Sequence, residues 1–146
     1  MDTNGWLAHG EALRMCNENE WIVREAFLAY DRGDFVRMMD FVDPGLRWTY
    51  LAPGLGDPPP QVCRGREELE RALRRQAALG LRSELEEVVA AGDQVILVMH
   101  TPGLDEHRGR QAGDRTYDVV TVKGGRIVEL HACRDHSEAR ELAGIG

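Results

Sequence analysis

The first readable segment of the chain has apolar side chains at helical spacing. From Glu18 to Arg32 they recur at steps of three and four, at Ile22, Ala26, Phe27, Ala29 and Tyr30. This spacing predicts an amphipathic helix, and Gly33 marks its C-terminal end. Asp34 can cap a second short helix. Its inner side would carry four apolar residues, Phe35, Met38, Met39 and Val42.

The middle of the chain combines one alternating segment with one helical segment. After the turn residues Asp43-Pro44-Gly45, the strand Leu46–Leu51 places Leu46, Trp48 and Tyr50 on one face. The segment Ala52–Arg64 contains three consecutive prolines and is predicted to be a loop. A helix is predicted over Arg66–Leu79. Its buried stripe would consist of Leu69, Ala72, Leu73 and Ala77.

Beyond Gly80 the pattern becomes extended. Four strands are predicted, over Arg82–Ala90, Gln94–Thr101, Arg115–Lys123 and Arg126–Arg134. The polar loop Pro102–Asp114 separates the middle pair, and a helical turn is expected over Ser137–Ala143. Helices first and strands last predict an α+β domain, in which a curved antiparallel sheet packs on about three helices around a pocket.

Composition limits the possible classes of protein. A chain of 146 residues with 42% hydrophobic and 29% charged residues is typical of one globular domain. We assign residues 1–16 to an N-terminal arm or short helix and residues 17–146 to the domain. The formal net charge of −7 disfavours nucleic acid as a partner, because phosphate binding requires a basic surface.

Several features favour a cytoplasmic location. No apolar run approaches the length of a membrane span, and the first residues lack the pattern of a secretory signal. The three cysteines, Cys16, Cys63 and Cys133, are widely spaced and odd in number, which favours reduced thiols over disulfides.

Four short strings resemble those of a known superfamily. They are Tyr30–Asp34, Asp43–Trp48, Arg64–Glu68 and Gly125–Glu129. Together with the order of elements, they resemble the nuclear transport factor 2-like superfamily and its SnoaL-like branch, from about Glu18 to the end of the chain. The resemblance implies a cone-shaped, cystatin-like fold, a homodimer formed through the outer sheet face, and a central pocket. Similar proteins include ketosteroid isomerases, polyketide cyclases, limonene-type epoxide hydrolases, dehydratases and non-catalytic members.

Residue-by-residue comparison shows which catalytic residues of these relatives the sequence lacks and which it has. Ala26 stands where ketosteroid isomerases have a tyrosine donor, and Tyr50 stands where they have an aspartate base. Asp118 stands where those enzymes keep a protonated aspartate. The final strand has Ala132, Cys133 and Arg134 where limonene-type epoxide hydrolases carry an aspartate two residues before an aromatic residue. The resemblance therefore implies the scaffold without either complete catalytic set.

Asp118 is the main candidate for chemistry. It lies in the apolar strand around Tyr117–Val122, on the same face as Val120 and Val122. If this face lines a dry pocket, burial raises the pKa of the carboxyl or requires a cationic partner, and either condition favours a general acid or base. The alternative is that Asp118 faces outward and is solvated.

The partner of Asp118 depends on the register of the last hairpin. A three-residue turn at Lys123–Gly125 directs Leu130, Ala132 and Arg134 inward, together with Val128, and makes Arg134 the counter-ion. A two-residue turn at Gly124-Gly125 places His131 opposite Asp118 instead, because a slip of one residue exchanges the faces. We favour the first register, because the face it buries is the more apolar.

We predict a pocket for a small hydrophobic molecule that needs no cofactor or metal. Asp118, His100 and Tyr50 are the candidate catalytic residues. The candidate ligand-binding residues are Ala26, Tyr30, Trp48, Val120, Leu130, Ala132 and Arg134. The string from His131 to His136 resembles a metal motif, but the segment offers too few convergent ligands for zinc. The reaction would be isomerisation, cyclisation, dehydration or epoxide opening. The alternative is a non-catalytic ligand-binding or dimerisation domain of the same fold.

Overall fold

The computed structural model describes residues 18–51, 60–109 and 111–145. The predicted arm over residues 1–16 lies outside these residues. In chain order the helices are α1 (18–31), α2 (Phe35–Asp40), α3 (Arg66–Ala78), α4 (Leu104–Arg108) and α5 (His136–Leu142). The strands are β1 (Val42–Leu51), β2 (Pro60–Arg64), β3 (Glu84–Ala91), β4 (Gln94–His100), β5 (Arg115–Lys123) and β6 (Arg126–Cys133).

The strands form one sheet in the order β2-β1-β6-β5-β4-β3. β3 to β6 make an antiparallel meander, as their short connections predict. β1 runs parallel to β6, with Trp48 paired to Leu130, and β2 adds to its outer edge in antiparallel orientation. The predicted α+β class is thereby confirmed, with one parallel pair within the sheet.

The two faces of the sheet bury different sets of residues. The inner face carries Val95, Leu97 and Val120, which pack in one core with Val23 and Phe27 of α1. On the outer face, Ala139 of α5 packs with a smaller group, Ile96, Val98, Val119 and Cys133. Because side chains alternate along each strand, the same strands contribute residues to two separate hydrophobic cores.

The first two helices agree with their predictions. α1 buries Ile22, Ala26 and Phe27 as the helical spacing indicates. At the start of α2, the Asp34 Oδ1 accepts a hydrogen bond of 3.1 Å from the Arg37 backbone N–H, the expected N-cap.

Three segments differ from their predictions. Residues 60–64, predicted to be part of a loop, form β2, because their backbone pairs with the edge of β1. β1 also begins earlier than predicted, at Val42, and its register shifts around Asp43-Pro44-Gly45. The predicted loop Pro102–Asp114 contains the short helix α4.

The hairpin of β5 and β6 has the favoured register, which it reaches by an unexpected route. The turn has only two residues, since Lys123 pairs with Arg126, but a bulge follows between Thr121 and Val122. The extra residue in the bulge is Val128, which is half-buried, while Ile127 occupies the core. Asp118 therefore lies opposite Ala132, and His131 lies opposite Val119 on the outer face.

Candidate functional site

A cavity of about 400 Å³ lies between the helices and the inner face of the sheet. Its walls are mostly apolar and include Phe27 of α1, Leu69 and Leu73 of α3, Met99 of β4 and Leu130 of β6. Such a volume with few polar groups is typical of a small-molecule site.

Asp118 lies on the wall of this cavity, where β5 places it between Leu97 and Ala132 on the neighbouring strands. The residue is only 7% exposed. Burial raises the pKa of its carboxyl to about 7, and the positive charge of Arg108 opposes this rise. Within the described residues no hydrogen bond or ion pair reaches the carboxyl. Its proton is therefore available to a molecule in the cavity.

Arg108 is a buried cation on the same cavity, held by the turn around α4. Its Nε and Nη2 donate hydrogen bonds to Asp105 Oδ1, at 3.2 and 2.8 Å, and Nη2 also donates to the Arg115 carbonyl at 2.6 Å. Asp105 Oδ2 accepts from the backbone N–H groups of Ala112 and Asp114, each at 2.8 Å. These bonds fix the guanidinium near Asp118.

Asp105 is the ionised partner in this arrangement. Burial raises the pKa of its carboxyl, but hydrogen bonds from the Asp114 and Ala112 backbone and from Arg108 outweigh burial, so the pKa is lowered overall. The Asp105–Arg108 pair therefore keeps both charges near neutral pH.

Tyr30 and Tyr50 line the cavity, and the hydroxyl of each makes a hydrogen bond. Gln76 Nε2 donates to the Tyr30 hydroxyl at 2.7 Å. Burial raises the pKa of Tyr30, against the effect of a hydrogen bond from Ser83. The Tyr50 hydroxyl donates to Gln61 Oε1 at 2.8 Å, and its ring lies 4.9 Å from that of Trp48. The two rings form an aromatic wall.

The structure brings six of the predicted site residues together on this cavity. They are Asp118, Tyr50, Tyr30, Trp48, Leu130 and Ala132. The alternation predicted for β1, β5 and β6 accounts for the common face of the five strand residues, and Tyr30 lies on the cavity from α1.

Four other predicted site residues do not line the cavity. Ala26 and Val120 are both fully buried in the core. His100 follows the inward Met99, so alternation turns it to the outer face, beside Glu86. Arg134 lies beyond β6, where it is exposed and pairs with Glu138 of α5 at 3.4 Å. The prediction that Arg134 is the counter-ion is wrong, and Arg108 has that position.

The final strand does not form the metal motif suggested by its sequence. Among the described residues no group of three or more histidine, cysteine or acidic side chains could hold a metal ion. Burial raises the pKa of the Cys133 thiol to about 12, and the charges of Asp118, Glu138 and Asp135 act in the same direction, so the thiol is neutral near pH 7.

Comparison with protein families agrees with this architecture. Residues 23–130 match the family described as the SnoaL-like domain. The chain belongs to the SnoaL-like domain family. The resemblance noted in the sequence is confirmed.

Solved structures similar to this SnoaL-like domain have the nuclear transport factor 2-like, cystatin-like fold. Bal32a, from a soil-derived mobile gene cassette, is 21% identical with a TM-score of 0.63, over 86% of this chain and 96% of that chain. A proposed polyketide cyclase from Sinorhizobium meliloti is 18% identical with a TM-score of 0.55, over 77% and 93%. A proposed ketosteroid isomerase from Kribbella flavida is 12% identical with a TM-score of 0.56, over 80% and 76%.

At these identities the likeness concerns the fold alone. No curated protein matches the sequence of this SnoaL-like domain significantly. In the described part of the chain, no helix has the length and apolar character needed to cross a membrane.

Sequence reasoning missed several polar residues on the cavity of this SnoaL-like domain, among them Arg108 and Thr116. Arg108 lies in a segment without hydrophobic periodicity, so no pattern indicated its burial. Thr116 shares the face of Asp118, two residues away, and alternation could have identified it. Its Oγ1 is buried without a hydrogen-bond partner among the described residues.

Proposed function

We propose that this SnoaL-like domain binds a small, mostly apolar metabolite and catalyses a proton transfer through Asp118. The supporting observation is a buried carboxyl without a partner among the described residues, on the wall of an apolar cavity. With a pKa raised by burial to about 7, the carboxyl is present in both protonation states near neutral pH. It can therefore accept a proton and return it, as a general acid–base catalyst must.

The proposed step is an enolisation. The Asp118 carboxylate takes a proton from a carbon next to a carbonyl, and the electron pair of the broken C–H bond moves toward the carbonyl oxygen. The protonated carboxyl then returns the proton to the same or another atom. Isomerisation, cyclisation and dehydration next to a carbonyl can begin with this step, whereas epoxide opening would instead use the protonated carboxyl as an acid toward the epoxide oxygen. Fold relatives include a proposed polyketide cyclase and a proposed ketosteroid isomerase.

The test measures proton exchange on a simple apolar ketone. In deuterated buffer, the protein should accelerate hydrogen–deuterium exchange at the α-carbon of 2-tetralone, followed by NMR. Asp118→Asn should lower the protein-dependent rate by about 100-fold or more while binding of 2-tetralone persists. In the natural chain the rate should rise as the pH passes 7, because the carboxylate is the base.

Asp93→Asn is the matched control. Asp93 lies in the exposed turn between β3 and β4, outside the cavity, so the exchange rate should not change. If 2-tetralone binds in the cavity and neither acceleration nor dependence on Asp118 is found, acid–base catalysis is refuted. The alternative, a non-catalytic ligand-binding domain, would then hold.

The proposal includes a homodimer in the cytoplasm. Thr121, Glu129 and His131 on the outer face of the sheet are only half-buried, which leaves area for a second copy. Within the part of the chain that the structure describes, Cys63 and Cys133 form no disulfide, which is consistent with a reducing compartment. The molar mass in solution, measured by light scattering, tests the dimer.

A further inference from the structure

We propose that Arg108 anchors the ligand of this cavity by binding a carboxylate, so that the molecules recognised are apolar organic acids. The acid group would lie at the end of the cavity formed by Arg108, Asp118 and Thr116, with the apolar body against the opposite walls. This inference rests on the proposed function, because it requires that the cavity bind a small molecule.

The guanidinium of Arg108 has N–H donors that no described residue uses. Its side chain is only 9% exposed, and its hydrogen bonds to described residues use Nε and Nη2. Within the described residues Nη1 has no partner, and it is not among the fully buried unpaired atoms, so it reaches accessible space. Arg108 lines the cavity, and we assign that accessible space to the cavity. A carboxylate is the acceptor that a guanidinium binds most strongly in such surroundings.

Asp105 does not use up the charge of Arg108. The Asp105 carboxylate accepts two hydrogen bonds from Arg108. It accepts two more from the backbone N–H groups of Ala112 and Asp114. The pair is therefore a fixed support, which orients the guanidinium and uses none of the donors of Nη1. Such preorganisation lowers the entropic cost of binding a ligand at that edge.

Asp118 and Thr116 complete the polar end. Thr116 lies two residues from Asp118 on the same strand face, and it directly follows Arg115, whose carbonyl binds Arg108. The Thr116 hydroxyl is fully buried and unpaired among the described residues, so a change of side-chain rotamer would bring it to a ligand oxygen. In its protonated form, Asp118 could donate a hydrogen bond to the same carboxylate.

The other groups around Asp118 do not compete for this role. From α4, His107 lies at the exposed rim of the cavity. From β6, burial keeps the pKa of Cys133 high and its thiol neutral. From α3, Arg75 lines the cavity but is exposed, so water screens its charge. Of the basic residues on the described part of the cavity, Arg108 is the buried one.

The rest of the cavity fits an aromatic or polycyclic body. Trp48 and Tyr50 form one wall with their rings 4.9 Å apart, and Leu69 and Leu73 form another. A volume of about 400 Å³ accommodates a bicyclic acid.

Two probes of the same shape test the anchor. Calorimetry at pH 6.5 would compare 2-naphthoate with its neutral methyl ester. The acid should bind the natural chain about tenfold more tightly or better, because a charge-assisted bond favours it. Arg108→Met should reduce this ratio to about one while the ester retains its affinity. Arg126→Met is the control, because Arg126 is exposed and does not line the cavity, and it should leave the ratio unchanged.

The pH dependence gives a second readout. Above pH 7 the affinity for 2-naphthoate should fall by up to about tenfold per pH unit, because Asp118 ionises and repels the bound carboxylate. Asp118→Asn should remove this slope, whereas His107→Gln should retain it. A slope that persists in Asp118→Asn would contradict a carboxylate bound against Asp118 and overturn the inference.

The outcomes separate the inference from the proposed function. If the ester binds and the acid is no tighter, or if the preference survives Arg108→Met, the inference fails and the binding cavity stands. If neither probe binds at millimolar concentration, both fail. Should Arg108→Met not fold, Arg108→Lys keeps the positive charge without the Nη1 donor, and the acid preference should still fall severalfold. An unchanged preference in that variant would overturn the inference.

Discussion

Asp118 illustrates how one residue can be costly for folding and useful for function. Its carboxyl leaves water for an apolar wall, and burial raises its pKa to about 7, with Arg108 opposing that shift. Folding therefore binds a proton that the unfolded chain releases near pH 4. The free energy of unfolding must then depend on pH, whether or not the protein is an enzyme.

The sign of this dependence follows from the raised pKa. Below pH 4 the carboxyl is protonated in both states and has no effect. Between about pH 4 and pH 7 only the folded state keeps the proton, so stability falls by about 1.4 kcal/mol per pH unit from this residue. Asp118→Asn has no proton to lose. Urea unfolding should show that its stability relative to the natural chain increases by about 4 kcal/mol from pH 4 to pH 8.

Asp93→Asn again provides the reference, because Asp93 is exposed and its replacement should stay within about 0.5 kcal/mol of the natural chain. An Asp118→Asn difference that is constant across this range would contradict the burial of an ionisable group at position 118.

Two neighbouring residues show what sequence reasoning can reach at this scale. The inward direction of Asp118 followed from alternation along a strand and from resemblance. The burial of Arg108 did not, because it depends on bonds to Asp105 and to the Arg115 carbonyl that exist only in the folded turn. The local sequence pattern carries no information about such partners, and it indicates Arg134 as the counter-ion of Asp118 instead.

At the scale of elements, the turn from Pro102 to Asp114 is organised around a single carboxylate. Asp105 accepts hydrogen bonds from Arg108 and from the backbone of Ala112 and Asp114. In return, the Asp114 Oδ1 accepts from the Asp105 backbone N–H at 2.8 Å. The short helix α4 is therefore stabilised by these contacts more than by its own length.

Asp105→Ala should remove this organisation. The variant leaves Arg108 buried without its ionic partner and two backbone N–H groups without acceptors. We expect urea unfolding to show a loss of about 2–4 kcal/mol. Glu106→Ala changes an exposed residue of the same helix and should stay within about 0.5 kcal/mol of the natural chain. Equal effects of the two changes would mean that Asp105 does not hold the turn.

For the β5–β6 hairpin, the predicted register is correct, but the turn that was expected to produce it is not the one observed. The apolar content of the strand indicated the correct face for Leu130 and Ala132. The turn length assumed for that register was wrong, because the bulge at Val128, rather than a longer turn, supplies the extra residue. A bulge and a longer turn give the same register, and the sequence of two adjacent glycines allows either one.

At the scale of the whole molecule, α3 covers the cavity instead of a filled core. Its apolar stripe predicted full burial, yet only Leu69 is buried, Ala72 and Leu73 are half-buried, and Ala77 is exposed. A stripe that faces a hollow has the same sequence pattern as one that faces packed side chains. Sequence could therefore predict the helix and its orientation, but not the empty volume beneath it.

Filling that volume should separate stability from binding. Ala72→Phe places a ring in the cavity, and we expect it to abolish binding of methyl 2-naphthoate while changing the free energy of unfolding by less than about 1.5 kcal/mol. Ala77→Phe, on the exposed side of the same helix, should leave binding intact. Retained binding in Ala72→Phe, measured by calorimetry, would show that ligands bind elsewhere.

The parallel pairing of β1 with β6 has a consequence for synthesis on the ribosome. Trp48 pairs with Leu130, so the two partners emerge from the exit tunnel far apart in time. The meander of β3 to β6 consists of neighbours that can join as they appear, whereas β1 must wait for the last strand. Until β6 emerges, the edge of β1 that pairs with it stays open, and during that interval a nascent chain is most in need of a chaperone.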